Sequence, residues 1–350
     1  MPFFSTAKKA ADPPSGARTS FAEPEDSLVH SKISDLREQH AAQQLKTFTR
    51  WWNSVLKPRA VKIEDLVKDV SPGVNPIMLY EELSGSFVKK YHAKPPSRFQ
   101  KLENQNIFLR CLKDKGLRLV NIGAEDLVDS NRTLILGLTW TLILRYEIQK
   151  YGASEQELLR WVKACTMGYD GVNITTWGES FNDGLAFCAL LHKHDEKCLD
   201  YNKCKKADAM GNLDKAFTTA EDRWEVPRLL EPEELAGPDP TDEKSVITYV
   251  AKLRQAFLDR EADMMRKLKE EEAARAAAAR AARQAELKKL VNELKSGVDA
   301  WNKWTIGKTD DFIKGTKEAP SYSEEKALAE REGLKTVSYT HLRAHETDSY

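Results

Sequence analysis

The stretch "RTLILGLTWTLILRYEI", Arg132 to Ile148, is the most apolar in this 350-residue chain, and its reading decides the fold. A membrane span has to cross roughly 30 Å of hydrocarbon, whereas the uncharged run from Leu134 to Leu144 covers about 17 Å at ~1.5 Å per helical residue. Arg132 and Arg145 bracket the run closely. A helix this short and apolar nearly all round belongs in the core of a soluble domain, so no membrane insertion is expected. With 41% hydrophobic and 31% charged residues, the chain can build such a core and still solvate its surface. Its length suits two ordinary domains.

Working outward from that helix, the preceding segments carry helical spacing and turn chemistry. In "QQLKTFTRWWNSVLKP", Leu45, Phe48, Trp52, Val55 and Leu56 recur on one helical face, and Pro58 ends the helix. "SPGVNPIMLYEELSG" is a turn followed by a short helix stopping at Gly85. "RFQKLENQNIFLRCLKDKG" places Phe99, Leu102, Ile107, Leu109 and Leu112 on an apolar stripe, with Gly116 as C-terminal cap. "NIGAEDLVDSNRT" is a polar connector with one helical turn. No alternating strand pattern reaches convincing length, so the expected fold is all-α.

After Tyr151-Gly152 the order repeats. "SEQELLRWVKACT" parallels the tryptophan-bearing first helix, with Ser154 and Glu157 in capping-box spacing. "SFNDGLAFCALLHKH", "MGNLDKAFTTAEDRW" and "TDEKSVITYVAKLRQAFL" parallel the next three helices. Two units of about 110 residues in one order indicate an internal duplication. The expected division is therefore a disordered arm over residues 1–38, helical domains over 41–150 and 151–260, and a charged helix over 261–336. In that last segment, rich in Ala, Glu, Lys and Arg, the 4-3-4-3 spacing of Leu287, Val291, Leu294, Val298 and Trp301 suggests the seam of a coiled coil or helical rod, weakened by Gly297. Residues 337–350 resemble the translation of a sequencing-library adapter and are set aside as non-native.

Two motifs in the first unit carry a family resemblance. "QLKTFTRWWN" (Gln44 to Asn53) and "LVNIGAEDLVDSNRTLILGLTWTLI" (Leu119 to Ile143) resemble the two signatures of actinin-type actin-binding regions. The second unit adds "DGLAFCALLHKH" and "DEKSVITYV". From about Gln44 to Arg260 the chain resembles a tandem pair of calponin-homology domains of the α-actinin, spectrin, dystrophin and fimbrin type. One departure is Pro72-Gly73, with Asn75-Pro76 following, where the second unit has Asp183-Gly184. The resemblance implies side-on binding to filamentous actin, a location in the cytoplasm and cytoskeleton, and no cofactor. It implies filament cross-linking in a longer protein, with a homodimer formed through a rod. Microtubule binding, or a membrane-skeleton linker built on the same domains, is the alternative.

The charge pattern agrees with an acidic filament as partner. Residues 41–150 hold 18 Lys+Arg against 11 Asp+Glu, a balance of +7; residues 151–260 hold 14 against 20, a balance of −6. The split nominates the first domain for the filament and also permits a closed state of one domain on the other, whose opening would free the binding surface. On the first helix Lys46, Thr47, Thr49, Arg50, Trp51 and Asn53 are candidate contacts, Trp51 being ambiguous between surface and core. Asn121, Arg132 and Thr133 follow from the second signature. Arg160 and Lys163 are candidates on the second domain's first helix, where Trp161 could instead pack one domain on the other.

Other chemistry finds little footing. "GKT" at Gly307–Thr309 has Asn302 where a phosphate-binding loop needs glycine. Cys188, His192, His194, Cys198 and Cys204 could be imagined around zinc, but Cys188 and His192 lie on an apolar helix. No catalytic triad, paired-carboxylate cleft or dinucleotide fingerprint stands out, and the basic half lacks a nucleic-acid recognition motif. The five cysteines fit reduced thiols better than a disulfide scaffold. The N-terminus lacks the apolar segment of a secretory signal.

Overall fold

A computed structural model describes residues 24–318 and 331–332. It is all-α, with no strand among the described residues. Of the described residues, those up to Asp263 form one compact unit and those from Met264 a second.

The first half of the compact unit is built from α1 (Pro24–Leu56), α2 (Leu66–Val70), α3 (Val74–Ser84), α4 (Arg98–Asp114), α5 (Ala124–Val128) and α6 (Arg132–Ile143). The stops lie where the residue chemistry puts them. Pro58 falls in a 3-10 turn directly after α1, and Gly85 closes α3 with φ +63°. Side chains of Asp65, Ser97 and Asn131 accept from first-turn backbone N–H groups of α2, α4 and α6, satisfying donors that have no helical partner. The apolar run behaves as core: Ile135, Leu136, Leu138, Leu142 and Ile143 are buried against Phe48, Trp52 and Leu56 of α1. Trp52 donates its indole N–H to Thr139 Oγ1 at 3.2 Å, so the ring is buried without stranding its polar edge. No helix among the described residues is long and apolar enough to cross a membrane.

After Ile143 the helix loosens into one π turn, Leu144–Ile148, in which Gln149 N–H reaches back to the Leu144 carbonyl. A 3-10 turn then ends at Gly152, φ +69°. This extra residue in the turn lets Ile148 stay in the core while Glu147 is also turned inward.

The second half repeats the plan with α7 (Glu155–Thr166), α8 (Leu185–His194), α9 (Ala209–Trp224), α10 (Pro232–Ala236) and the beginning of α11 (Glu243–Glu318). The Ser154–Glu157 capping box is formed, with bonds of 3.2 and 2.6 Å. Phe181, Phe187, Phe217 and Tyr249 make a chain of ring contacts 5.0–5.5 Å apart through this core. Trp161 stays within its own half, flanked by His194, Phe257 and the Arg254 guanidinium. The interdomain role considered for it is not observed.

One packing device appears in both halves. Gly73 and Gly184 precede α3 and α8 with φ +75° and +73°, and a Cβ on either would lie 2.6 Å from Asn104 Cβ or 2.8 Å from Asn212 Cβ. The asparagine amide then donates twice. Asn104 serves the Pro72 and His92 carbonyls; Asn212 serves those of Asp183 and Lys205. The local difference between Pro72-Gly73 and Asp183-Gly184 therefore leaves the geometry intact.

Two expectations need correction. The arm expected through residue 38 is helical from Pro24, because no breaker separates Pro24 from Leu56; residues 1–23 lie outside the described residues. Phe99, expected on the buried stripe, is 67% exposed, because it stands in the first turn of α4 before the helix meets the core. Residues 264–318 of α11 are helical, and Leu287, Val291, Leu294, Val298 and Trp301 are all exposed along it. The residues set aside as adapter-like, 337–350, lie outside the described residues.

Gly184→Ala should lower stability by about 3 kcal/mol, because alanine at positive φ costs ~1–2 kcal/mol before the contact with Leu213 N is relieved. Gly137→Ala, in the interior of α6 with open space at its Cβ position, should instead add up to about 1 kcal/mol. Urea denaturation of both variants checks the contrast.

Candidate functional site

The outward face of α1 is turned onto the second half. Arg50 is the centre of the contact: its guanidinium grips Glu234 through two bonds, 2.8 and 3.1 Å, and donates to the Leu229 carbonyl at 3.0 Å. Glu234 is well placed to receive it. It is the third residue of α10, where a carboxylate faces the positive end of the helix, and it also accepts from Glu231 N–H at 3.0 Å. Lys46 lies 3.8 Å from the same carboxylate but keeps most of its side chain in solvent.

Glutamines on the same face extend the contact. Gln43 donates to the Glu234 carbonyl at 3.1 Å and accepts from Asp242 N–H at 2.7 Å. Gln44 donates to Asp242 Oδ1 at 2.7 Å. At the far end the buried Glu147 carboxylate accepts from Trp51 Nε1 at 2.8 Å and faces Lys252 Nζ, from α11, at 2.6 Å. Lys244 stands over the Trp140 ring, 5.6 Å from its centroid. The contact is thus mostly charged and polar, with cations on both sides and the bidentate pair at its middle.

The other surface left by the first half lies between residues 118–122 and α6. There Arg118, Leu119, Val120, Ile122, Leu134, Gly137, Leu138 and Thr141 line a groove of about 200 Å³. Val120 is 76% exposed. Asn121 sits on the same loop with φ +53°, a conformation asparagine tolerates better than most residues. The glycine at 137 leaves the groove floor without a side chain.

The sequence-nominated residues separate accordingly. Lys46 and Arg50 meet the second half; Asn121 and Thr133 are exposed beside the groove. Arg132 begins α6 and pairs with Glu38 of α1. Arg160 and Lys163 are exposed on α7, away from these contacts, and Arg160 lies 3.9 Å from Glu157. Thr47 and Trp51 are corrections: both are fully buried, Trp51 because its indole N–H has a carboxylate partner inside. Asn53 is also occupied, its amide exchanging two hydrogen bonds with the Ile63 backbone at 2.9 and 2.6 Å. Thr49 is half-buried and returns its hydroxyl to the Leu45 carbonyl. Sequence reading missed Val120, Gly137 and Glu234. A large apolar residue in a polar connector and a glycine inside a helix were visible signals for the first two; nothing local marks Glu234.

The model of the calponin homology (CH) domain matches residues 42–148 and again 152–259. Human α-actinin-1 is 39% identical over 219 residues, covering 61% of this chain and 24% of the relative. Mouse α-actinin-3 gives the same identity and coverage. The chain thus spans about a quarter of the length of these relatives. Among solved structures, the actin-crosslinking core of Schizosaccharomyces pombe fimbrin superposes with a TM-score of 0.52 at 23% identity, covering 61% of this chain and 48% of that one, which is a likeness of fold. Two matched segments in tandem, each coinciding with one half of the duplicated helical unit, show that this chain belongs to the calponin homology (CH) domain family.

Proposed function

We propose that the chain binds the side of filamentous actin through its first CH domain, and that the arrangement described above is a resting state in which the second domain covers part of the binding surface. The observation that carries this reading is the basic face of α1, centred on Arg50 and Lys46 and held by acidic α10, in a tandem pair similar to α-actinin. The groove beside Val120, with Asn121, Arg132 and Thr133 around it, is the contact available without rearrangement. Separation of the domains would release Arg50, Lys46, Gln43 and Gln44 for a second contact. Arg160 and Lys163 would add a lesser one from the second domain.

Cross-linking of filaments needs two binding units. We assign it to a longer protein that pairs through a rod, with residues 264–318 as its beginning and the stripe from Leu287 to Trp301 as one packing face. The location that follows is the cytoskeleton. The names of the relatives and of the fimbrin structure point to actin and lend no support to the microtubule alternative.

Residues 40–260 should co-sediment with F-actin at low ionic strength, lose affinity as salt rises, and stay in the supernatant when microtubules are pelleted. Recovery in the supernatant with F-actin would overturn the proposal. Val120→Glu should weaken filament binding about tenfold with little change in stability, since the side chain is solvent-exposed and the filament acidic. Glu234→Gln should strengthen it about three- to tenfold by loosening the hold on Arg50. Unchanged affinity in that variant would mean that the contact between domains does not limit binding.

A further inference from the structure

Between Glu82 and Glu103 the first domain has no acidic residue and carries Lys89, Lys90, Lys94, Arg98 and Lys101. Both bordering carboxylates are taken, Glu82 by Arg59 and Glu103 by the His92 ring. Arg98 meets Asp129, whereas Lys89, Lys90, Lys94 and Lys101 have no carboxylate partner among the described residues. Phe87 and Phe99, near the two ends of the segment, are 78% and 67% exposed. The backbone between α3 and α4 is held in place. Val88 is buried and its N–H donates to Glu81 Oε1 at 2.7 Å. His92 N–H donates to Asn104 Oδ1 at 2.8 Å, and the His92 carbonyl accepts from Asn104 Nδ2 at 2.9 Å. These bonds lay the loop from the end of α3 across to the first two turns of α4, so Phe87, Lys89 and Lys90 share one end of the domain with Arg98, Phe99 and Lys101. Pro95 and Pro96 stiffen the remainder. Every hydrogen bond and ion pair of the segment stays within the first domain.

We infer that this end of the first domain is a docking surface for a bilayer rich in anionic lipid. Bare phenylalanine rings leave water by settling at the headgroup–acyl boundary, while partnerless ammonium groups on flexible stems meet the lipid charge above it. Neither signal alone holds a protein on a bilayer; cations and buried rings together do. Lysine, a point charge without a fixed fork, suits headgroups that move laterally. An acidic protein surface would serve the lysines equally well, and the two exposed rings are what favour lipid. The attachment is peripheral and requires no spanning helix. It leaves both the interdomain contact and the groove beside Val120 untouched, so it is available whether or not the domains separate.

The test pellets the full chain with mixed phosphatidylserine–phosphatidylcholine vesicles, with phosphatidylcholine vesicles, and separately with F-actin. The chain should bind the mixed vesicles, less so as salt rises, and leave the neutral ones. Lys89→Glu with Lys90→Glu should lower vesicle binding about tenfold or more, and Phe87→Ala with Phe99→Ala about tenfold. Both double variants should keep the parent's urea midpoint and most of its F-actin binding, because the changed side chains are exposed. The vesicle result stands apart from the filament result, so failure of one reading is distinguishable from failure of the other. No binding to the mixed vesicles, equal binding to neutral ones, parental vesicle binding by either double variant, or loss of F-actin binding with vesicle binding retained would each overturn the inference.

Discussion

The structure turns on a buried carboxylate. Glu147 is nearly inaccessible to water, and an ionised carboxylate in that position is strongly unfavourable unless charge and hydrogen bonds compensate it. Its compensation comes from both directions: the Trp51 indole inside its own domain and the Lys252 ammonium from the other. The first domain is therefore electrostatically incomplete without the second, and removing Lys252 would leave a buried charge without its counter-ion. Such a pair contributes more to choosing one arrangement of the domains than to net stability, because much of its attraction offsets desolvation.

Arg50 and Glu234 add a second point of the same kind at the middle of the contact. Two separated ionic anchors fix an orientation where one would permit pivoting. Beyond Arg50, toward the start of α1, lie amide hydrogen bonds from Gln43 and Gln44, which are directional but readily exchanged for water. An interface of this composition can separate without exposing a large apolar area, which suits domains that alternate between contacts with each other and contacts with a partner. The groove beside Val120 differs: it is apolar, floored by glycine and independent of the neighbouring domain.

Much of the architecture was legible in the residues. Proline and glycine stops, side-chain caps and 3.6-residue periodicity placed the main helices, and the repeated order exposed the duplication. The apolar run could be read as core from its shortness together with its all-round apolarity. What escaped was set by tertiary contact. Phe99 has the right residue type on the right helix but stands where the helix has not yet reached the core. Trp51 looked ambiguous because a neighbouring Trp52 already filled the stripe; only Glu147, 96 residues away, explains its burial. The opposite charge balances permitted a contact between the domains but could not select Glu234 from the many acidic residues of the second. Asn53 shows a further limit, since a polar side chain off the apolar stripe is read from sequence as solvent-facing, whereas this one pins a loop through Ile63.

The π turn at Leu144–Ile148 gives the chain a means of resetting helical phase. Upstream, the spacing of α6 is dictated by its own domain's core; downstream, Glu147 must meet a lysine belonging to another. A regular helix would carry the first periodicity straight into the second, coupling every adjustment of core packing to the junction at roughly 100° per residue. One additional residue accommodated in the turn separates the two requirements. The core of the first domain and the docking of its neighbour can consequently diverge along independent routes, as long as that single insertion is kept.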